Sequence, residues 1–97
     1  MSGTERVSAS AMRFDFTSQR HESAHLTVPM EVREALGLGI DGPVHLDIWT
    51  DLGHCHGDFD MTSNGEVRAS RQPNGPNRGL LGVVGAGMEG VAIATRI

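Results

Sequence analysis

Tyrosine and lysine are absent from this 97-residue chain, tryptophan and cysteine occur once each, and phenylalanine occurs three times. So few aromatic side chains leave few large anchors for a core, and a chain this short makes one small, marginal domain. Part of the missing burial is therefore expected from a second copy of the chain. The single thiol, Cys55, excludes an internal disulfide and agrees with a reducing compartment. Long hydrophobic runs are missing too. Leu80 to Ala86 is broken by glycine and too short to span a bilayer. Glu5, Arg6 and Arg13 interrupt the opening residues where a signal peptide needs an apolar stretch. No membrane partner and a cytoplasmic location are the expectation. With no G-X-Y period and no heptad run, collagen and coiled coil are excluded.

Thirteen glycines and several Asn-Gly or Pro-Asn pairs favour short strands joined by turns over a helical bundle. The net charge is −4, and its distribution says more than the sum. Residues 1 to 34 hold four Arg and five acids, residues 35 to 66 hold six acids and no Arg, and residues 67 to 97 hold four Arg and one acid. The middle third is an anionic block that repels phosphate, so a nucleic-acid face has to come from the flanks.

Residues 1–11 are small and polar without periodicity and read as a flexible tail, leaving 12–97 as a single domain. Residues 12–17 alternate, with Phe14 and Phe16 on one side, as a half-buried strand does. A polar loop over Ser18 to Ser23 follows, then a short strand in which Leu26 and Val28 face together, stopped by Pro29. Pro29 suits the first position of a helix, Glu31 favours its first turn, and Val32, Ala35 and Leu36 form one buried stripe. Gly37 and Leu38 read as a glycine stop with its apolar contact. After the Asp41-Gly42-Pro43 turn, 44–49 and 54–61 alternate on either side of Thr50-Asp51-Leu52-Gly53, a hairpin pattern. Val44, Leu46 and Ile48 are expected inward, with His45, Asp47 and Trp49 outward. In the second strand Cys55, Phe59 and Met61 share one face, and His54, His56, Asp58 and Asp60 the other. A short strand within 65–70, a Pro- and Gly-rich loop, and two more strand candidates, Leu80 to Val84 and Gly90 to Ile97, complete the chain.

The stretch His25-Leu26-Thr27-Val28-Pro29-Met30-Glu31-Val32-Arg33-Glu34-Ala35-Leu36-Gly37-Leu38, followed by Asp41-Gly42-Pro43-Val44, resembles the AbrB, SpoVT and MazE-type swapped-hairpin domain. Members carry a strand ending in Val-Pro or Ile-Pro, a helix of similar pattern and a Pro-Gly-Asp turn into a hydrophobic strand. The likeness is densest there and extends loosely over 13–61. It implies a mainly β fold with one short helix, closed as a swapped-hairpin β-barrel by a homodimer. The function it implies is that of a bacterial DNA-binding transcription regulator or antitoxin-like protein, with double-stranded DNA and a toxin or other partner protein as its partners. Arg33 matches the helix arginine of the family. Ala24-His25 stands where relatives show Gly-Arg, and Met30 where they show Lys. The DNA-contacting set is then Arg13, Arg20, His25 and Arg33, doubled by two-fold symmetry, with arginine forks suited to phosphate or guanine. The alternative is a protein-binding or structural module on the same fold, meeting a partner through the acidic block 41 to 66, outward Trp49 or the Gly-rich tail.

One segment carries metal-ligand atoms. His54, His56 and Asp58 alternate on one strand face, and two such imidazoles share an ion only if a further ligand arrives across the hairpin. No complete ligand set is visible in the sequence, so neither a metal nor a cofactor is expected. Cys55 and its histidine neighbours point to opposite faces of a strand, which separates a thiol from a base. With no nucleophile elbow, phosphate loop or carboxylate pair either, an enzyme is not expected.

Overall fold

The structure, a computed structural model, describes residues 10–18, 25–39, 41–70, 72, 74, 75, 77–85 and 87–97. Among the described residues, six strands and one α-helix follow in the order β1 (Ala11–Thr17), β2 (His25–Thr27), α1 (Met30–Leu36), β3 (Gly42–Thr50), β4 (Gly53–Met61), β5 (Glu66–Arg68) and β6 (Glu89–Thr95). A 3₁₀ turn spans Arg78–Gly82. The chain is mainly β with antiparallel sheets, as its alternating segments require. No helix among the described residues is long and apolar enough to cross a membrane.

The larger sheet has the order β1-β6-β3-β4, and β2 pairs with β5 in a second, two-stranded sheet. β3 is central because it is the most apolar strand on one face: Val44, Leu46 and Ile48 are all fully buried. β4 returns beside it through the two-residue turn Asp51-Leu52, and β6 takes its other side. The small sheet lies beside the edges of the large one, with β5 packed near β4 and β2 near β1. Between them α1 contributes Val32 and Leu36 to a core shared with Phe14, Phe16, Leu26, Val28, Phe59 and Val67.

Size complementarity sets the packing of the sheet's inner face. Ala92 and Ala94 of β6 point inward, fully buried, and Val91 and Ile93 lie on the outer face, half-buried. The small side chains leave room for Phe14 and Phe16 on β1 and for Leu46 and Ile48 on β3. The tightest point is Gly90, where a Cβ would sit 2.5 Å from Cζ of Phe16 and 2.8 Å from the carbonyl oxygen of Trp49.

Helix α1 starts one residue later than Pro29 suggests. Pro29 is its N-cap, at φ −60° and ψ 150°, and its carbonyl accepts the amides of Val32 and Arg33. At the other end Gly37 closes the helix in the left-handed region, and Leu38 packs against the core beyond it. Three further expectations are corrected. Ser10 and Ala11, read as the end of the tail, lie against the C-terminal strand: the Ser10 carbonyl accepts the amide of Arg96, and Ala11 pairs with Thr95; residues 1–9 lie outside the described residues. Leu80 to Val84 is no strand, because the amides of Leu80, Val83 and Val84 close helical turns on the Asn77 and Leu80 carbonyls. Asp41-Gly42-Pro43 does not stay a turn, since β3 begins at Gly42.

Candidate functional site

The pairing of β3 with β4 fixes what faces what on the outer surface of the large sheet. Opposite one another stand His45 and Asp58, Asp47 and His56, and Trp49 and His54. Their parity follows from one amide. The N–H of Asp60 points away from β3 and donates to Oδ1 of Asn77 at 2.9 Å, so Pro43 and Asp60 form a non-hydrogen-bonded pair. Every second pair toward the turn is then of the same type, in which facing side chains come closest, with Cα atoms about 4.5 Å apart. Pro43 is tolerated for the same reason, since β4 asks no N–H of it.

The result is a polar cluster of three imidazoles and two carboxylates. Nδ1 of His45 lies 2.9 Å from Oδ1 of Asp58, and its Nε2 lies 3.7 Å from Oδ2 of Asp47. Nε2 of His54 is 3.5 Å from the other oxygen of Asp47. His54 stacks on Trp49 with ring centroids 4.7 Å apart, and His56 follows at 5.8 Å from His54. Trp49 keeps 41% of its surface exposed, and Leu52 at the hairpin tip keeps 59%. The tip itself is pinned: Thr50 Oγ1 donates to the carbonyl of Val83 and accepts the amide of Leu52.

Cys55 points to the opposite, inner face, half-buried against the core. Burial pushes its thiol above the ordinary range, and the negative charge of Asp47 pushes it further. A thiol held in its protonated form, with the imidazoles across the sheet from it, is a poor nucleophile.

The residues expected to meet DNA are not brought to one place. Arg13 lies on the outer face of the large sheet, 3.6 Å from Asp15, in a row with Ile93, Asp47 and His56. A shallow depression beside it is lined by Asp15, Asp51 and Glu89 as well, three carboxylates to one guanidinium. Arg33 is on the other side of the molecule with α1. Its Nε donates to the carbonyl of Val28 at 3.0 Å, and its guanidinium lies over Gly65, whose φ of 80° and missing Cβ allow that approach. His25 stands in β2 opposite Arg68 of β5, and Arg68 bonds Glu66 at 2.8 Å. Arg96 donates to the carbonyl of Leu36 at the end of α1. Arg20 lies outside the described residues.

Sequence reasoning passed over Arg68 and Arg96 as companions of Arg33, and His45 and Asp47 as companions of His56. A signal existed for the second pair. A two-residue turn at Asp51-Leu52 makes every facing pair sum to the same register, which places Asp47 against His56. No family model, no curated protein and no solved structure matches this chain.

Proposed function

We propose that this protein is a DNA-binding regulator or antitoxin-like protein that acts as a swapped-hairpin homodimer. It meets the phosphate backbone with the surface around α1 and the small sheet. The observation that carries this reading is the local fold of the segment bearing the family resemblance. Strand β2, the Pro29 cap, α1, the Gly37 stop and the apolar strand β3 follow one another in the arrangement the resemblance implies. Arginine placement adds to it. His25, Arg33, Arg68 and Arg96 gather near α1, β2 and β5, among Glu31, Glu34 and Glu66, whereas the β3-β4 hairpin carries Asp47, Asp58 and Asp60 and no arginine. Arg13 belongs to the acidic side and is left out of this surface. The Arg68–Glu66 pair is exposed and worth little, so a phosphate replaces the carboxylate at small cost.

A second reading has its own observation. Trp49 and Leu52 are exposed apolar side chains on and beside a sheet face, which suits a partner protein.

One set of measurements separates the two. Light scattering at micromolar concentration is expected to report a dimer. Anisotropy of labelled genomic duplex is expected to show binding at 50 mM salt that weakens steeply toward about 200 mM. Arg68→Ala is expected to lower the slope of log affinity against log salt by about one for each phosphate no longer neutralised, alike for all sequences, with Arg13→Ala leaving it unchanged. Arg33→Ala weakens binding too, but it also strips the Val28 carbonyl of its partner, so its melting temperature is followed alongside. A stable monomer rules out the swapped hairpin. No binding at 50 mM salt rules out the DNA reading and leaves the protein-binding one.

A further inference from the structure

We propose that the outer face of the β3-β4 hairpin is a binding site for a divalent transition cation of the zinc class. Its ligands are His45 Nε2, a carboxylate oxygen of Asp47 and one ring nitrogen of His56. Each of the three residues offers one donor atom within 4.8 Å of the other two, and Nε2 is the His45 nitrogen that faces Asp47, at 3.7 Å. Around an ion held at roughly 2.1 Å, neighbouring donors stand about 3.4 Å apart, so small side-chain rotations close the set. The backbone needs no change, because β3 and β4 hold the three residues as a same-face pair and its cross-strand partner.

The second observation is the state of His45. Its Nδ1 faces Oδ1 of Asp58 at 2.9 Å; in the tautomer that carries the proton on Nδ1, this nitrogen donates to the carboxylate and Nε2, 3.7 Å from Oδ2 of Asp47, is free to ligate an ion lodged between them. A carboxylate behind a histidine in this way orients the ring, sets its tautomer and raises its basicity toward a metal. Two imidazoles with one carboxylate select Zn²⁺, Ni²⁺ or Cu²⁺ over Mg²⁺ or Ca²⁺, which prefer oxygen alone. Asp47 is steadied from its other side by His54, and His54 by its stack on Trp49. Three protein ligands on an open sheet face leave the remaining position to water.

The test uses the full chain without an affinity tag, stripped with EDTA and titrated calorimetrically with ZnCl₂. The expected result is one Zn²⁺ per chain with micromolar affinity, and no heat with millimolar MgCl₂. His45→Gln and His56→Gln are each expected to weaken binding at least tenfold, and Asp58→Asn about tenfold through the orienting hydrogen bond. Both histidines are outside the core, and circular dichroism checks that the variants fold. Nitrogen-15 spectra of the imidazoles supply a readout that a merely structural role leaves still: Zn²⁺ shifts Nε2 of His45 while Nδ1 stays protonated. Cys55→Ser leaves the binding unchanged. Affinity no better than millimolar, binding that survives both histidine substitutions, or binding lost in Cys55→Ser overturns the proposal.

Discussion

Gly90→Ala is expected to destabilise the fold by about 2–3 kcal/mol, with a melting temperature lower by roughly 10–15 °C. The added methyl would meet two things at once: the Phe16 ring, at 2.5 Å from Cζ, and the Trp49 carbonyl oxygen, at 2.8 Å. The ring can turn only by leaving a buried slot, and the carbonyl belongs to the strand beside β6. One of the two neighbours has to move, and either movement opens the sheet. Pairing the change with Phe16→Leu is expected to recover part of the loss, a coupling that urea unfolding of the four variants measures. A Gly90→Ala protein within about 0.5 kcal/mol of the parent would show that β6 does not approach Phe16 and Trp49 as described.

Leu46→Ala is expected to cost more, about 4 kcal/mol, near the upper end for deleting a buried leucine. Leu46 is fully buried in the central strand, and its flanking inner-face neighbours are Ala94 on β6 and Gly57 on β4. Neither can swing a side chain into the space left behind. The cavity therefore stays open, and cavity volume is what separates the expensive leucine deletions from the cheap ones. Denaturant melts are expected to show a lower midpoint with an unchanged slope. Ile93→Ala, on the half-buried outer face, is the comparison and is expected to cost about 1 kcal/mol. Equal losses for the two would contradict the assignment of faces.

These two residues mark how far alternation can be read. Phe14, Phe16, Val44, Leu46, Ile48, Phe59 and Met61 all face the core as period-two patterning says. In β6 the pattern Val91-Ala92-Ile93-Ala94 has two apolar faces, and hydropathy ranks the wrong one as buried. The alanines are inside because β1 and β3 already fill the interior with large side chains, and that information lies about 45 and 80 residues away in the chain. The same limit explains Leu80 to Val84, an apolar run with strand composition. Its Leu80, Val83 and Val84 are buried, yet it reaches the core as a 3₁₀ turn docked on the hairpin.

For the candidate site the division is similar. Composition and order alone determined a mainly β chain, the strand-Pro-helix-Gly segment from His25 to Gly37, and a hairpin turning near Asp51, because each depends on local dihedral preferences and on neighbours within a few residues. The outward histidines and aspartates were legible one strand at a time. Which of them meet was decided by register: Asp47 faces His56, and Asp58 stands behind His45, only because the turn has two residues and β4 pairs accordingly. Tertiary packing alone placed Arg33 against the Val28 carbonyl and Gly65, apart from Arg13, since a helix lying on one face of a sheet puts its side chains out of reach of those projecting from the other.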